Sequence, residues 1–136
     1  MDKLEYIPGD IVKIEYGEAT GKIGFVTNTF LRRKGCYSLV VFIGKGFQGS
    51  SKDDWIQTYN DEVSPIPLTP EILKKNGWEK LYEKFFEKNV NNIRLTIELS
   101  ENIYVAINRI FIMEIHYIHE LQHLLFGLGI NHEMEV

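Results

Sequence analysis

The sequence predicts an α+β fold of two parts within its 136 residues. Residues 1–65 are expected to form a small β-barrel, and residues 66–136 a small antiparallel sheet covered by a C-terminal helix. Three observations support this prediction. The first half alternates short apolar runs with glycine-containing turns. The segment Ser64-Pro65-Ile66-Pro67 is a stiff, extended connector, and the second half changes from strand-like alternation to a final helical period.

Four strand patterns precede the connector. They lie at residues 10–16, 22–30, 36–44 and 55–59. The run Arg32-Arg33-Lys34-Gly35 predicts a turn between the second and third patterns, because glycine tolerates a positive φ angle. Residues 44–54 are polar and rich in glycine, and they predict a loop. This stretch contains Gly44-x-Gly46-x-x-Gly49, but no helix pattern follows, so we interpret it as a flexible loop and not as a dinucleotide site.

The second half begins with a short helix pattern over residues 71–75. Thr69 is the expected N-cap and Pro70 occupies the first helical position. Asn76-Gly77 ends the helix, because these residue types accept the left-handed conformation that follows a helix. Residues 78–86 fit either a further helical turn or a strand. The aromatic residues of that stretch are interpreted as core, with an exposed partner patch as the alternative; they are Trp78, Tyr82, Phe85 and Phe86.

Two or three antiparallel strands are expected next. Their patterns lie at residues 92–99, 103–107 and 110–115. Residues 116–127 predict the final helix, which Gly127 or Gly129 would end.

Charge and cysteine content limit the classes of function. The net charge is −4, and residues 1–66 hold eight basic and nine acidic side chains against seven and ten in residues 67–136. Neither half therefore has the positive field of a dedicated nucleic-acid binder. Cys36 is the only cysteine and lies in an apolar strand pattern, which predicts a buried thiol and a reducing compartment. The N-terminus lacks the apolar core of a signal peptide, and the longest apolar run (39–43) is too short for a bilayer, so we expect a cytoplasmic protein with no membrane partner.

One glycine-spaced segment resembles the KOW motif of ribosomal and transcription-elongation proteins: Gly9-Asp10-x-Val12-x-Ile14-x-x-Gly17-x-x-x-Gly21-x-x-Gly24-x-Val26. The resemblance implies an SH3-like β-barrel for the first half and, as an alternative function, nucleic-acid binding. In that case Arg32, Arg33 and Lys34 would hold phosphates. The bases would stack on Tyr37, Phe47 or Trp55. The competing interpretation is a solvated hairpin tip with aromatic core residues, which the near-neutral charge and Thr20, at a position where the motif is usually basic, favour.

The final helix contains the motif H-E-x-x-H at residues 119–123. In zinc hydrolases His119 and His123 would be metal ligands, and Glu120 would activate the metal-bound water. A third protein ligand is required, and Gly129 occupies the position that the extended motif gives to a third histidine. His132 and the glutamates after it remain, on a tail that is expected to fray.

The helical period places the histidines at 116, 119 and 123 on one stripe, opposite the leucines of the helix. We therefore expect them to face away from the apolar surface, with Leu121 in the core and His119 and Gln122 at its border. On this interpretation the chain has no catalytic residue, cofactor or metal. Zinc bound by the motif is the alternative.

Two further segments resemble a family of small uncharacterised proteins from Bacteroidetes genomes and their phages or mobile elements. They are Ile66-Pro67-Leu68-Thr69-Pro70-Glu71-Ile72-Leu73-x-x-x-Gly77-Trp78-Glu79-Lys80 and Ile115-His116-Tyr117-Ile118-His119-Glu120-Leu121-Gln122-His123-Leu124. Family members tend to read IPLTEEILLKxGF and YVHxLQNLYFALTG, with Gln often at the position of Glu120 and Asn often at that of His123. The resemblance implies that the ligand and the base of H-E-x-x-H are not family features. The expected function is a non-enzymatic accessory or binding protein of phage or mobile-element type, with a protein or nucleic-acid partner and an open oligomeric state.

Overall fold

The computed structural model of the chain describes residues 6–33, 36–44 and 55–136, without the side chain of Arg33. The chain divides into two compact units after Ile66. Each unit contains a five-stranded antiparallel sheet, and the two helices of the described residues both belong to the second unit. The fold is thus predominantly β, in the α+β class that the sequence predicts. Lys34, Phe47 and the predicted G-x-G-x-x-G loop after Gly44 lie outside the described residues.

The sheet of the first unit has the strand order β4-β3-β2-β1-β5. Its strands are β1 (Ile11–Ile14), β2 (Ile23–Arg33), β3 (Cys36–Phe42), β4 (Trp55–Tyr59) and β5 (Val63–Pro65). Alternating side chains of β1, β2 and β3 point inward and form a buried cluster; among them are Val12, Ile14, Val26, Leu39 and Val41. Within the described residues β4 and β5 are the two edges of this sheet, and they do not pair with each other.

Two predictions for the first unit need correction, and the extended connector begins inside the sheet. Pro65 ends a strand that pairs with β1, a position proline tolerates because β5 is an edge. The basic turn is shorter than predicted, since Arg32 and Arg33 belong to β2. Cys36 was expected to be buried, but it begins β3 and is partly exposed.

The glycine spacing of the first unit has two physical causes. Gly17 and Gly21 have φ angles of 88° and 89°, which favour glycine in the turn between β1 and β2. Gly24 has no room for a side chain, because a Cβ there would collide with the carbonyl oxygen of Phe42 and lie 2.9 Å from Cγ1 of Val41. The close approach of β2 and β3 therefore requires glycine at this position.

The sheet of the second unit is a meander with the order β10-β9-β8-β7-β6. Its elements, in chain order, are α1 (Pro70–Lys75), β6 (Glu79–Tyr82), β7 (Phe85–Val90), β8 (Ile93–Leu99), β9 (Ile103–Ile107), β10 (Ile110–Ile115) and α2 (Ile118–Gly127). The sequence predicted two or three strands here, and the structure has five, because residues 78–86 form most of a hairpin and not a helical turn.

The two faces of the second sheet differ strongly. The register aligns Phe86, Ile97 and Val105 across three strands, and all three are buried. Their neighbours on the opposite face, Phe85 and Tyr104, are only half-buried. The aromatic stretch is accordingly divided: Trp78 and Phe86 are core residues, whereas Tyr82 is 63% exposed.

The two helices are short. The predicted caps of α1 are confirmed: the amide of Ile72 donates to Thr69 Oγ1 at 3.3 Å, and Gly77 follows the helix with a φ of 86°. The second helix contributes Ile118 and Leu121 to the buried side chains of its unit. Neither helix of the described residues is long and apolar enough to cross a membrane.

Candidate functional site

The H-E-x-x-H segment forms the first turns of α2. The chain arrives there as an extended strand end, in which Tyr117 forms an isolated bridge with Pro67. Tyr117 is the N-cap, with extended backbone angles (φ −126°, ψ 158°), and the helix begins at Ile118. The motif therefore lies where backbone N–H groups still need acceptors.

Glu120 supplies one of these acceptors. Its Oε1 accepts a hydrogen bond from the backbone N–H of His116 at 2.8 Å and another from that of Tyr117 at 3.0 Å. This is the reach of the N3 glutamate in a capping box, and it places a negative charge at the positive end of the helix. Both bonds use Oε1, so they fix the orientation of this carboxylate against the start of the helix.

The three histidines of the motif region have very different exposure. His116 is exposed, His123 is half-buried, and His119 is only 2% exposed. His119, expected to face away from the apolar surface at the border of the core, is therefore more deeply buried than predicted. Gln122, expected at the border of the core, is fully buried.

The C-terminal tail folds back against α2, so more of the helix surface is buried than the leucine pattern predicted. The side-chain amide of Gln122 donates to the backbone carbonyl of His132 at 2.9 Å, and Ile130 is buried. The tail thus covers the side of α2 that carries Gln122. The positions of the leucines alone had predicted a polar surface on that side.

Aromatic stacking surrounds the buried imidazole. The ring of Tyr117 is stacked on that of His119, with centroids 5.9 Å apart and an interplanar angle of 19°. The ring of His123 approaches the same imidazole edge-on, at 5.5 Å. The structure therefore brings the two predicted metal ligands together, but within an aromatic stack that is itself a packing arrangement.

Within the described residues the structure brings no third ligand to this pair, since no group of three His, Cys, Asp or Glu side chains lies close enough there to hold a metal ion. His132 packs edge-on against Phe126 at 5.1 Å, and Glu133 is exposed.

The C-terminal tail is held in place, which corrects the expectation that it frays. The side-chain carbonyl of Asn76 accepts from the backbone N–H of Glu135 at 2.8 Å, and its amide donates to the carbonyl of the same residue at 2.8 Å. Lys75 Nζ also donates to the backbone carbonyl of Val136 at 2.7 Å. The helix cap of α1 thus anchors the end of the chain.

The predicted nucleic-acid residues are only partly described. Arg32 is exposed and lines a cavity of about 710 Å³ together with Tyr16 and Tyr59, but Asp61 and Glu62 line the same cavity. The acidic neighbours reduce the attraction of this cavity for phosphate.

The predicted stacking residues differ in exposure. Tyr37 is half-buried and packs against the core of the first unit. Trp55 is 42% exposed, and its ring lies 4.6 Å from that of Phe42. Of these two residues, Trp55 is the more exposed.

The structure also shows a surface that the sequence analysis missed, at the hairpin end of the second sheet. Side-chain amides and guanidinium groups line a cavity of about 500 Å³ there; they belong to Asn89, Asn91, Asn92, Arg94, Asn108 and Arg109. The signal in the sequence was two turn dipeptides, Asn91-Asn92 and Asn108-Arg109, each between apolar strand patterns.

Comparisons with known proteins identify no relative: no protein-family model, curated protein or solved structure matches the chain. The function is therefore argued from the geometry of its own residues.

Proposed function

We propose that the chain is a non-catalytic accessory or binding protein of phage or mobile-element type that acts in the cytoplasm. In this proposal H-E-x-x-H is a helix start and not a zinc site. The observation that carries the helix-start interpretation of the motif is the carboxylate of Glu120, whose Oε1 accepts both the His116 and the Tyr117 backbone N–H groups.

Energetics support this assignment. The amide of Tyr117 is part-buried, so withdrawing its acceptor would leave a donor with restricted access to water, at a cost of about 1–3 kcal/mol. The buried, stacked position of His119 adds a second structural role inside the same motif.

The topology of the first unit supports a binding module of the SH3-like, KOW-like kind. Its strands follow one another as a meander, except that the last strand returns to pair with the first. β2 has 11 residues and carries register shifts between Val26 and Asn28 and between Leu31 and Arg33. Such bulges bend a long strand, as a sheet that curls toward closure requires.

Metal analysis of protein purified without a histidine tag tests the proposal. We expect a zinc content far below one ion per chain, unchanged in His123→Ala. His116→Ala is the matched control, because His116 is an exposed histidine of the same segment. One zinc ion per chain that is lost in His123→Ala and kept in His116→Ala would overturn the proposal in favour of the zinc-hydrolase alternative.

A second candidate is nucleic-acid binding by the first unit, favoured by one observation. Exposed Arg32 lines the same cavity as Tyr16 and Tyr59, which are 66% and 42% exposed, so one surface carries a cation and two solvent-accessible aromatic side chains. Fluorescence anisotropy with a labelled single-stranded RNA at increasing salt tests it.

The informative variant removes the charges of Arg32, Arg33 and Lys34 together. If these side chains hold phosphates, the slope of log K against log salt falls by about 2, because each single-strand phosphate contact contributes about 0.7. A matched variant neutralises three other cations, Lys13, Lys74 and Lys80, and should keep the slope. Equal slopes in all three proteins, or no binding at low salt, would dispose of this candidate.

A further inference from the structure

The hairpin end of the second sheet contains one turn residue of the wrong type for its backbone. The two-residue turns β7–β8 and β9–β10 both lie at this end, because consecutive hairpins of a meander alternate ends. Their residues all have positive φ: 50° and 66° at Asn91 and Asn92, 50° and 71° at Asn108 and Arg109. Two successive positive φ angles define a type I′ turn, which favours asparagine and then glycine.

Arg109 therefore occupies a position where glycine would be more stable. Asparagine tolerates the left-handed region because its short side chain bonds locally, whereas arginine has no such compensation. The rest of the turn is well held: Asn108 Oδ1 accepts from the backbone N–H of Arg94 at 2.9 Å, and its own N–H donates to the Arg94 carbonyl at 2.8 Å. Strain of this kind, kept by a rigid surrounding structure, is characteristic of ligand sites.

The side chain of Arg109 lines two cavities at this end of the sheet. It lines the amide-rich cavity of about 500 Å³ and also an adjacent groove of about 420 Å³ on the open face of the sheet. Small side chains, Thr96 and Ala106, pair across β8 and β9 at the centre of this groove. Phe85, Tyr104 and Phe111 form its walls, and the last of them is 60% exposed.

Three charged residues that the structure describes line the two cavities, Arg94, Arg109 and Glu98, and all but Arg109 lie in an ion pair. Glu114 stands opposite Tyr104 on the same face and has no ion pair among the described residues. Lys84 Nζ lies 3.5 Å from a carboxylate oxygen of Glu98, and Nε of Arg94 lies 3.8 Å from one of Glu87. Within the described part of the chain, no ion pair neutralises Arg109. The surface thus offers a single uncompensated guanidinium, amide donors beside it, and flat apolar walls next to both.

We propose that this surface binds a small ligand that joins one anionic group to a flat ring, a nucleoside monophosphate by class. The anionic group lies on Arg109 and the neighbouring side-chain amides, and the ring of the ligand stacks on Phe111, which is 60% exposed and whose other neighbour in the groove is Tyr104, 5.7 Å away centroid to centroid. Arginine suits an oxyanion because its planar fork can donate two parallel hydrogen bonds. Because Arg109 is the one unpaired cation among the described lining residues and Glu98 and Glu114 lie nearby, the surface favours one anionic group over a polyanion. The inference rests on the binding role proposed above and names a ligand class for it.

Calorimetric titration of the full chain with adenosine 5′-monophosphate tests the inference, with inorganic phosphate and adenosine as the two half-ligands. We expect the monophosphate to bind at least tenfold more tightly than either half. Equal affinity for phosphate alone, or no heat with the monophosphate, would overturn the proposal. A single-stranded oligonucleotide whose affinity rises steadily with length would also overturn it, because it would identify a polyanion site.

Arg109→Gly gives the sharpest variant, because the two readouts move in opposite directions. The substitution supplies the residue that the turn favours, so the melting temperature should rise by about 3 °C. Affinity for the monophosphate should fall at least tenfold. The matched control is Glu83→Gly, which relieves a positive φ of 42° in the exposed β6–β7 turn but lines neither cavity. It should keep the affinity of the unmodified chain.

A variant that binds as tightly as the unmodified protein would remove Arg109 from the site and refute the inference. Phe111→Ala checks the ring separately: it should weaken monophosphate binding and leave phosphate binding unchanged. All these outcomes are independent of the metal content at His119 and His123, so failure here is distinguishable from failure of the proposed function.

Discussion

Replacing Glu120 by alanine should destabilise the second unit by about 1.5 kcal/mol. The substitution removes two hydrogen bonds to a charged acceptor, at 2.8 Å and 3.0 Å, one of them exposed and one part-buried. Bonds to charged groups contribute about 1.5–3 kcal/mol each when well shielded, and exposure reduces the pair to about 1 kcal/mol. Loss of the negative charge at the helix N-terminus adds about 0.5 kcal/mol. Glu120→Gln keeps an oxygen acceptor and should lose only the charge contribution.

Urea denaturation followed by circular dichroism measures the effect. The order of stability should be unmodified protein, then Glu120→Gln, then Glu120→Ala, with equal dependence on denaturant concentration. Glu133→Ala is the control, because Glu133 is exposed beyond the same helix and should change stability by less than about 0.5 kcal/mol. If Glu120→Ala is as stable as the control, the carboxylate has no capping role and the reasoning fails.

Three further predictions concern the packing of the first unit, the packing of the second unit and the C-terminal tail; thermal unfolding measures the first two and hydrogen exchange measures the third. Gly24→Ala should lower the free energy of unfolding by more than about 3 kcal/mol, because its Cβ would collide with the backbone of β3. Gly17→Ala, in open space at positive φ, should lower it by about 1 kcal/mol. Equal losses in the two variants would refute the close approach of β2 and β3. Phe86→Ala should cost about 3–5 kcal/mol as a buried ring, while Phe85→Ala on the open face should cost less than half of that; the reverse order would place the core on the wrong face. Asn76→Ala should release residues 133–136 to rapid hydrogen exchange, and unchanged protection there would show that its bonds to the tail are not needed.

Local chemistry explains which elements of the second unit could be predicted. Thr69 and Asn76-Gly77 marked both ends of α1 correctly, since caps depend on neighbouring residues alone. The alternation over residues 93–99 identified β8 for the same reason. The stretch 78–86 was ambiguous, because its strand is defined by pairing with β7, and β7 in turn is ordered by β8.

The candidate site shows where such reasoning fails. The helical period correctly put His119 and His123 next to each other, but it could not foresee that the chain end would return and cover the helix. The capping role of Glu120 was also hidden, because tyrosine at position 117 is not a favoured N-cap residue. Long-range contacts of the tail and an unusual cap therefore changed the interpretation of the motif.

The turn at Asn108-Arg109 could be located from the sequence, but its unfavourable backbone conformation could not. Two such positions between apolar strand patterns are a hairpin signal, and the strands on both sides were predicted. The energetic cost of arginine at the second position follows from its φ angle of 71°, which the sequence does not give. A residue that departs from the preference of its turn is a useful pointer to a binding surface.

Thermal unfolding of the tag-free protein in a chelator and in excess zinc tests the central claim most directly. A protein in which H-E-x-x-H only starts a helix should unfold at the same temperature in both solutions. A specific site filled to a hundred times its dissociation constant would add about 2.7 kcal/mol. A rise of several degrees in zinc that disappears in His123→Ala and persists in His116→Ala would contradict the account.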